Sequence, residues 1–232
     1  MTSTTKLPFE ALGRLGYDED DLRRLGGLAH LGAIAGAPLD GPEGIRAIVS
    51  SLPYFDDWRT RYVVQSVRSS LASQVVTCID AAILSYGILD CFPSVRRRVL
   101  AIHRRSAAGE ECGHVVTLYW QGGKVGAFSK SSYPGLGHRD PVFRDEEAIA
   151  RSYAEAYLRL GLRPLYYGVT TLEEAAGDLD WRFSPADLSE LSSRIQACYE
   201  YAFLPAAAPS AQGHSPEPVV DPAPASQPTT EI

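Results

Sequence analysis

The hydrophobic pattern divides the chain into a helical first third, a strand-rich middle and a helical end. Leu12, Leu15, Leu22, Leu25, Leu28 and Leu31 recur at spacings of three and four and predict one or two short helices between Leu7 and Leu31. A Gly- and Pro-containing stretch from Gly32 to Gly44 predicts a connection. Further helices are predicted from Pro42 to Ser51 and from Asp56 to Ala72, the second with an apolar stripe of Trp58, Tyr62, Val63 and Val67. The apolar run after Thr77 predicts a buried helix from Cys78 to about Tyr86, stopped by Gly87. The pattern then changes. Val95–His103 reads as a strand, Ser106–Gly113 as a polar loop, and His114–Trp120 and Val125–Lys130 as two strands joined at Gln121-Gly122-Gly123-Lys124. Ser131–Asp140 reads as a loop. Asp145–Leu160 reads as an amphipathic helix, Leu165–Val169 as a strand, and Leu172–Gly177 and Pro185–Ala202 as helices. The expected class is α+β, with an antiparallel meander packed on the Cys78 helix.

From Pro205 the composition shifts: seven of the sixteen prolines fall between there and Ile232, among Ala, Ser, Gln and Thr. Such a segment cannot bury a core, so 205–232 is expected to be a disordered tail on a single domain spanning 1–204, with helices at about 7–72 and a core at about 73–204. The net charge of −6 argues against sequence-blind nucleic-acid binding. No apolar run approaches the roughly 20 residues of a membrane span, and Met1–Lys6 leads into no signal-peptide core. A cytoplasmic protein is expected. Its four cysteines, Cys78, Cys91, Cys112 and Cys198, should then be free thiols, and no pair has the close spacing of a zinc site.

Two of the residues carry candidate chemistry. Thr77 and Asp80 have the spacing of a capping box, which puts Cys78 in the first turn of its helix, among unpaired amides at the positive end of the dipole. That environment favours a thiolate. His114 opens a strand downstream. Hairpin geometry brings Ser129, Lys130 or Ser131 opposite it, and one of them could touch the imidazole. A thiol–imidazole pair needs a third group to fix the ring. Asp80 is one candidate, although capping also explains it; Ser129 and Asp140 are others. His103 is a further possible participant, with a solvent-facing strand end as the plainer reading. Trp58, Tyr119 and Phe128 are candidate apolar walls, with Ser129 beside them.

The order of helix-start cysteine and strand-start histidine is that of the transglutaminase-like and papain-like nucleophiles. Thr77-Cys78-Ile79-Asp80-Ala81, Gly113-His114-Val115-Val116-Thr117-Leu118-Tyr119 and Gly123-Lys124-Val125-Gly126-Ala127-Phe128-Ser129 together resemble the core of the transglutaminase-like fold over residues 70–132. That pattern carries an Asp on the strand after the histidine; here the position is Ser129. The blocks Glu111-Cys112-Gly113-His114, Ser129-Lys130-Ser131-Ser132 and Gly137-His138-Arg139 resemble, more narrowly, the off-loading Dieckmann cyclases of polyketide–peptide assembly lines. The resemblance implies a Cys–Asp–His triad of Cys78, Asp80 and His114. It also implies a carrier-bound thioester as substrate, a tetramate or pyridone product, and no metal or diffusible cofactor. Two alternatives stand beside it: an amide-forming acyltransferase or cysteine peptidase on the same residues, and a non-catalytic binding module that kept the fold.

Overall fold

The stretch after Thr77 folds as the sequence suggests, and the rest is arranged around it. The chain is described by a computed structural model over residues 41–55, 63–73, 75–90, 92–184 and 187–203. The expectations for the helices before Gly41, for Trp58 and Tyr62, for Cys91 and for the tail from Pro205 lie outside the described residues. Among the described residues three helices come first: α1 (Pro42–Ser51), α2 (Val67–Ser73) and α3 (Cys78–Leu89). Every residue of α3 from Ile79 to Leu89 is buried, as expected of a helix that is apolar all round. Gly87 does not stop it. The helix runs on to Leu89 because burial on all sides outweighs the low helix propensity of one glycine. Asp90 caps its end and takes ion pairs from Arg97 and Arg182.

The remaining elements are β1 (Arg97–Arg105), β2 (Glu111–Gln121), β3 (Lys124–Phe128), β4 (Arg139–Phe143), α4 (Glu146–Arg159), β5 (Arg163–Thr170), α5 (Leu172–Ala176), α6 (Ser189–Ala197) and β6 (Tyr201–Ala202). The strands form one sheet in the order β4-β3-β2-β1-β5-β6, with antiparallel neighbours throughout. Helices cover both faces. Val99, Ala101, Val115 and Tyr119 face α1, α2, α3, α5 and α6. Leu100, Ile102, Val116 and Leu118 face α4. The class is α+β. Among the described residues no helix is long and apolar enough to cross a membrane.

Four expectations are corrected. The helix expected from Asp56 to Ala72 begins, within its described part, only at Val67. Strand β2 starts at Glu111, not His114, because Cys112 and Gly113 pair with Arg104 and His103; His114 therefore lies inside the strand. The loop expected over 131–140 ends in strand β4, which carries Pro141 at the sheet edge, where a missing amide is tolerated. The helix expected over 185–202 ends at Ala197. Beyond it Tyr201 and Phe203 alternate at strand period and pack on Tyr167, their ring centroids 5.1 and 4.9 Å from it. The β2–β3 turn is as expected: Gly122 and Gly123 both take positive φ, at 57° and 74°.

Candidate functional site

Thr77 is the extended N-cap of α3, and Asp80 stands at the third helical position. One carboxylate oxygen of Asp80 accepts the Thr77 amide at 2.8 Å and the Thr77 hydroxyl at 2.9 Å; the other accepts the Gln65 amide at 2.8 Å. Both oxygens are thus committed to holding the start of α3 and the segment before α2. Cys78 is the first residue of the helix, as the capping pattern predicts. The amides of Val115, Ile79 and Cys78 lie beside its thiol and pull its pKa down, but desolvation outweighs them and leaves it raised. The expectation of a resting thiolate is therefore reversed: the helix terminus stabilises the anion by less than burial costs it.

His114 lies across the strand from this thiol. Alternation along β2 puts Gly113, Val115, Thr117 and Tyr119 on the α3 face, where the Thr117 hydroxyl donates to the Ala82 carbonyl at 2.7 Å. The His114 ring is on the α4 face, edge-on to Tyr153 and Tyr157 at 5.9 and 6.4 Å. Ser129 Oγ donates to the Leu136 carbonyl at 2.6 Å, so its contact with His114 Nε2 at 2.9 Å is one in which the ring N–H donates. The network assigns the proton to Nε2 and leaves Nδ1 as the basic nitrogen. Burial, then the positive charge of Arg104, pushes this histidine down to about 3, so it is neutral. Among the described residues no hydrogen bond joins Cys78 to His114, and Asp80 does not reach the ring. The position beside Nε2 is taken by Ser129, one of the three residues that hairpin geometry offered.

A pocket of about 480 Å³ opens at the thiol. Thr77, Cys78, Ile79, Gly113, Ser192 and Gln196 line it on one side of the sheet; Arg104, Cys112, Tyr133 and Leu162 line the other. It wraps around the end of β1 and β2 at a place where β3, which pairs with β2 only from Thr117 onward, leaves the strand uncovered. A group held at Cys78 is thereby in the same cavity as Arg104, Cys112, Tyr133 and Leu162; His114 is buried behind them and does not line it.

No protein-family model and no curated protein sequence matches the chain. Among the solved structures similar to the chain is LapG of Legionella pneumophila, in three forms. The first is 15% identical with a TM-score of 0.37, over 85% of this chain and 98% of that one. The EGTA-treated form is 14% identical with a TM-score of 0.34, over 85% and 98%. The calcium-bound form is 15% identical with a TM-score of 0.33, over 84% and 99%. At TM-scores this low the likeness carries no weight for the chemistry of this chain.

The other expected site residues have definite places. Tyr119 and Phe128 are buried and stacked at 4.5 Å, a packed pair behind the site that does not line the pocket. Gly126 is required there, since a Cβ would meet the Tyr119 ring at 2.5 Å. Asp140 is exposed and paired with Arg46 at 2.5 Å. His103 stacks on Tyr199 and lies 3.2 Å from Glu111 at the rim. Two residues escaped sequence reasoning. His138 accepts the Ser129 amide on Nδ1 at 3.0 Å and meets the Ser50 hydroxyl through Nε2 at 2.9 Å, so it braces the loop that carries Ser129. Arg104 is the other; its signal was the period of two that places it inward with Leu100 and Ile102.

Burial brings Asp80 up to about 7 against the pull of the Thr77 and Gln65 amides. A folded pKa above the ordinary 3.8 means the folded chain holds a proton that the unfolded chain has lost. Its stabilisation is complete below pH 4 and disappears as pH rises through 7. His114 acts oppositely: folded near 3 against an ordinary 6.5, it loses stability as pH falls through that window. Asp80→Asn is expected to remove this contribution, so that its stability profile and the wild-type one diverge by a few kcal/mol (order of magnitude) between pH 4 and 7 in urea titrations across pH. Parallel profiles for the two proteins would contradict this origin of the slope.

Proposed function

We propose that the chain is a thiol acyl-transfer enzyme with Cys78 as nucleophile, and that it acts as a Dieckmann cyclase on a carrier-bound β-keto amide thioester. The observation that carries the reading is a helix-start thiol ringed by three amides at the mouth of a pocket. Thiol and imidazole start neutral. As Cys78 attacks the thioester carbonyl, its proton leaves with the departing carrier thiol. The oxyanion meets amides of the α3 terminus, donors fixed in place before the reaction. His114 Nδ1 then takes a proton from the carbon between the two carbonyls, the carbanion attacks the enzyme thioester, and a tetramate or pyridone ring leaves as Cys78 is released. Ser129 holds the ring of His114 with a hydroxyl where the transglutaminase-like pattern has an acid, and Asp80 positions Cys78 by fixing the helix start. The resemblance in the three sequence blocks supports the cyclase over amide formation or peptide hydrolysis, which use the same first step with an amine or water as acceptor.

Incubation with an N-acetylcysteamine thioester of an N-acetoacetyl amino acid separates these outcomes. Ring product supports the cyclase, free acid the hydrolase, and amide formed with added amine the transferase. The absence of a Cys78–His114 hydrogen bond and the raised thiol favour one further reading, a binding module on the same fold. Its mark is a Cys78 that neither turns over a thioester nor alkylates with iodoacetamide below pH 9.

A further inference from the structure

Arg104 is 7% exposed, and among the described residues it forms no ion pair. Its guanidinium lies over two aromatic rings, 5.0 Å from the centre of Tyr133 and 5.4 Å from that of Tyr157. Ring faces attract a cation but do not neutralise it. Burying a charge without a counter-charge is costly, and such a group is stabilised when an anion arrives. The residue lines the Cys78 pocket, opposite Cys112 in the β1–β2 register and just past a register shift in the β1–β5 pairing, the kind of irregularity that re-aims a side chain.

Among the described residues no carboxylate pairs with Arg104. Among the described residues the buried Tyr199 hydroxyl has no hydrogen-bond partner, and the buried Tyr157 hydroxyl has only the Arg104 guanidinium beside it. Tyr199 reaches the pocket wall over Gly113, where a Cβ would stand 3.2 Å from the hydroxyl. Two acids lie at the rim, both exposed: Glu110, and Glu111, which is engaged by Arg105 and His103. With the amides at the thiol, the interior offers donors and a positive charge, so it suits a ligand rich in acceptors and negative in charge.

We propose that Arg104 binds an anionic oxygen on the acyl group delivered to Cys78, either a carboxylate or the enolate of a 1,3-dicarbonyl. The inference rests on the reading of Cys78 as acyl acceptor and adds the substrate class. An anion here also acts on the base: Arg104 is, after burial, the main influence holding His114 low, so its neutralisation makes the imidazole more basic only when substrate is bound. An enolate held this way is stabilised as it forms, the charge placement that favours a carbon nucleophile.

The test uses three N-acetylcysteamine thioesters of four-carbon acids: butyryl (neutral), acetoacetyl (an acidic carbon) and succinyl (a carboxylate). Acyl transfer makes the Cys78 S–C bond, breaks the thioester C–S bond and sends the thiol proton to the departing N-acetylcysteamine. Wild-type protein below saturation is expected to acylate about tenfold faster with one of the acidic donors than with butyryl, the size of one charge-assisted hydrogen bond. Preference for succinyl assigns a carboxylate, and preference for acetoacetyl an enolate. Arg104→Met, which keeps a stem against Tyr157, should bring the three rates together. Equal rates in the wild type, which needs no variant, overturn the proposal, as does a preference that survives in a folded Arg104→Met protein. If no donor acylates, the reading of Cys78 fails. Calorimetric titration of the same donors into Cys78→Ala protein then decides for Arg104: tighter binding of an acidic donor supports the proposal, and equal binding overturns it.

Discussion

Replacing His114 by alanine is expected to slow ring closure by about 10²–10⁴-fold, the usual contribution of a positioned acid–base group. The acyl-enzyme should then accumulate. Acylation by an activated thioester depends first on the α3 terminus, whose amides stay in place, whereas carbon–carbon bond formation needs a proton acceptor. In the resting structure His114 is neutral, with its proton on Nε2 and held by Ser129. Ser129→Ala is expected to cost less than His114→Ala, because it removes an orienting hydroxyl and leaves the base. Stopped-flow product formation with intact mass analysis separates the two steps. A His114→Ala protein that closes rings at the wild-type rate would remove the imidazole from the mechanism. His114→Gln, of similar bulk, serves if the alanine variant fails to fold in this buried site.

Gly168→Ala should have the largest effect on stability. Gly168 lies in β5 where the chain leaving α6 crosses it; a Cβ there would stand 1.7 Å from the Cys198 carbonyl oxygen and 2.4 Å from its carbon. Both are backbone atoms, so no rotamer relieves the clash and the 198–203 segment must move. The expected cost is about 3 kcal/mol or more, the upper end of overpacking. Tyr199 stacks on His103 and lies over Gly113, so the shift should also reach the pocket wall and lower activity. Chemical denaturation measures the first effect; a loss under about 1 kcal/mol would mean the crossing is not tight.

What the sequence made legible was encoded locally. Thr77 and Asp80 announce the start of α3 three residues apart, Asp145 caps α4 through the Ala148 amide at 2.8 Å, and two adjacent glycines make the β2–β3 turn. Edge strands were not legible. β4 contains a proline and β6 has two residues, and each exists because a partner strand is already in place. Alternation in β2 separates His114 from Val115, but which face receives α3 follows from the whole sheet. The thiol shows the same division: its place at a helix terminus is readable from Thr77-Cys78-Ile79-Asp80, whereas its burial, and the Val115 amide that partly offsets it, come from the tertiary structure. Arg104 reads as one arginine in a basic run, and only the tertiary structure shows it buried over two tyrosines.

Exposure of the protein to one equivalent of an activated thioester, followed by intact mass measurement and peptide mapping, tests the central claim. The account predicts one acyl adduct, carried by the peptide containing Cys78 and absent from Cys78→Ala. An adduct on Cys91, Cys112 or Cys198, or ring formation by Cys78→Ala at the wild-type rate, would contradict it.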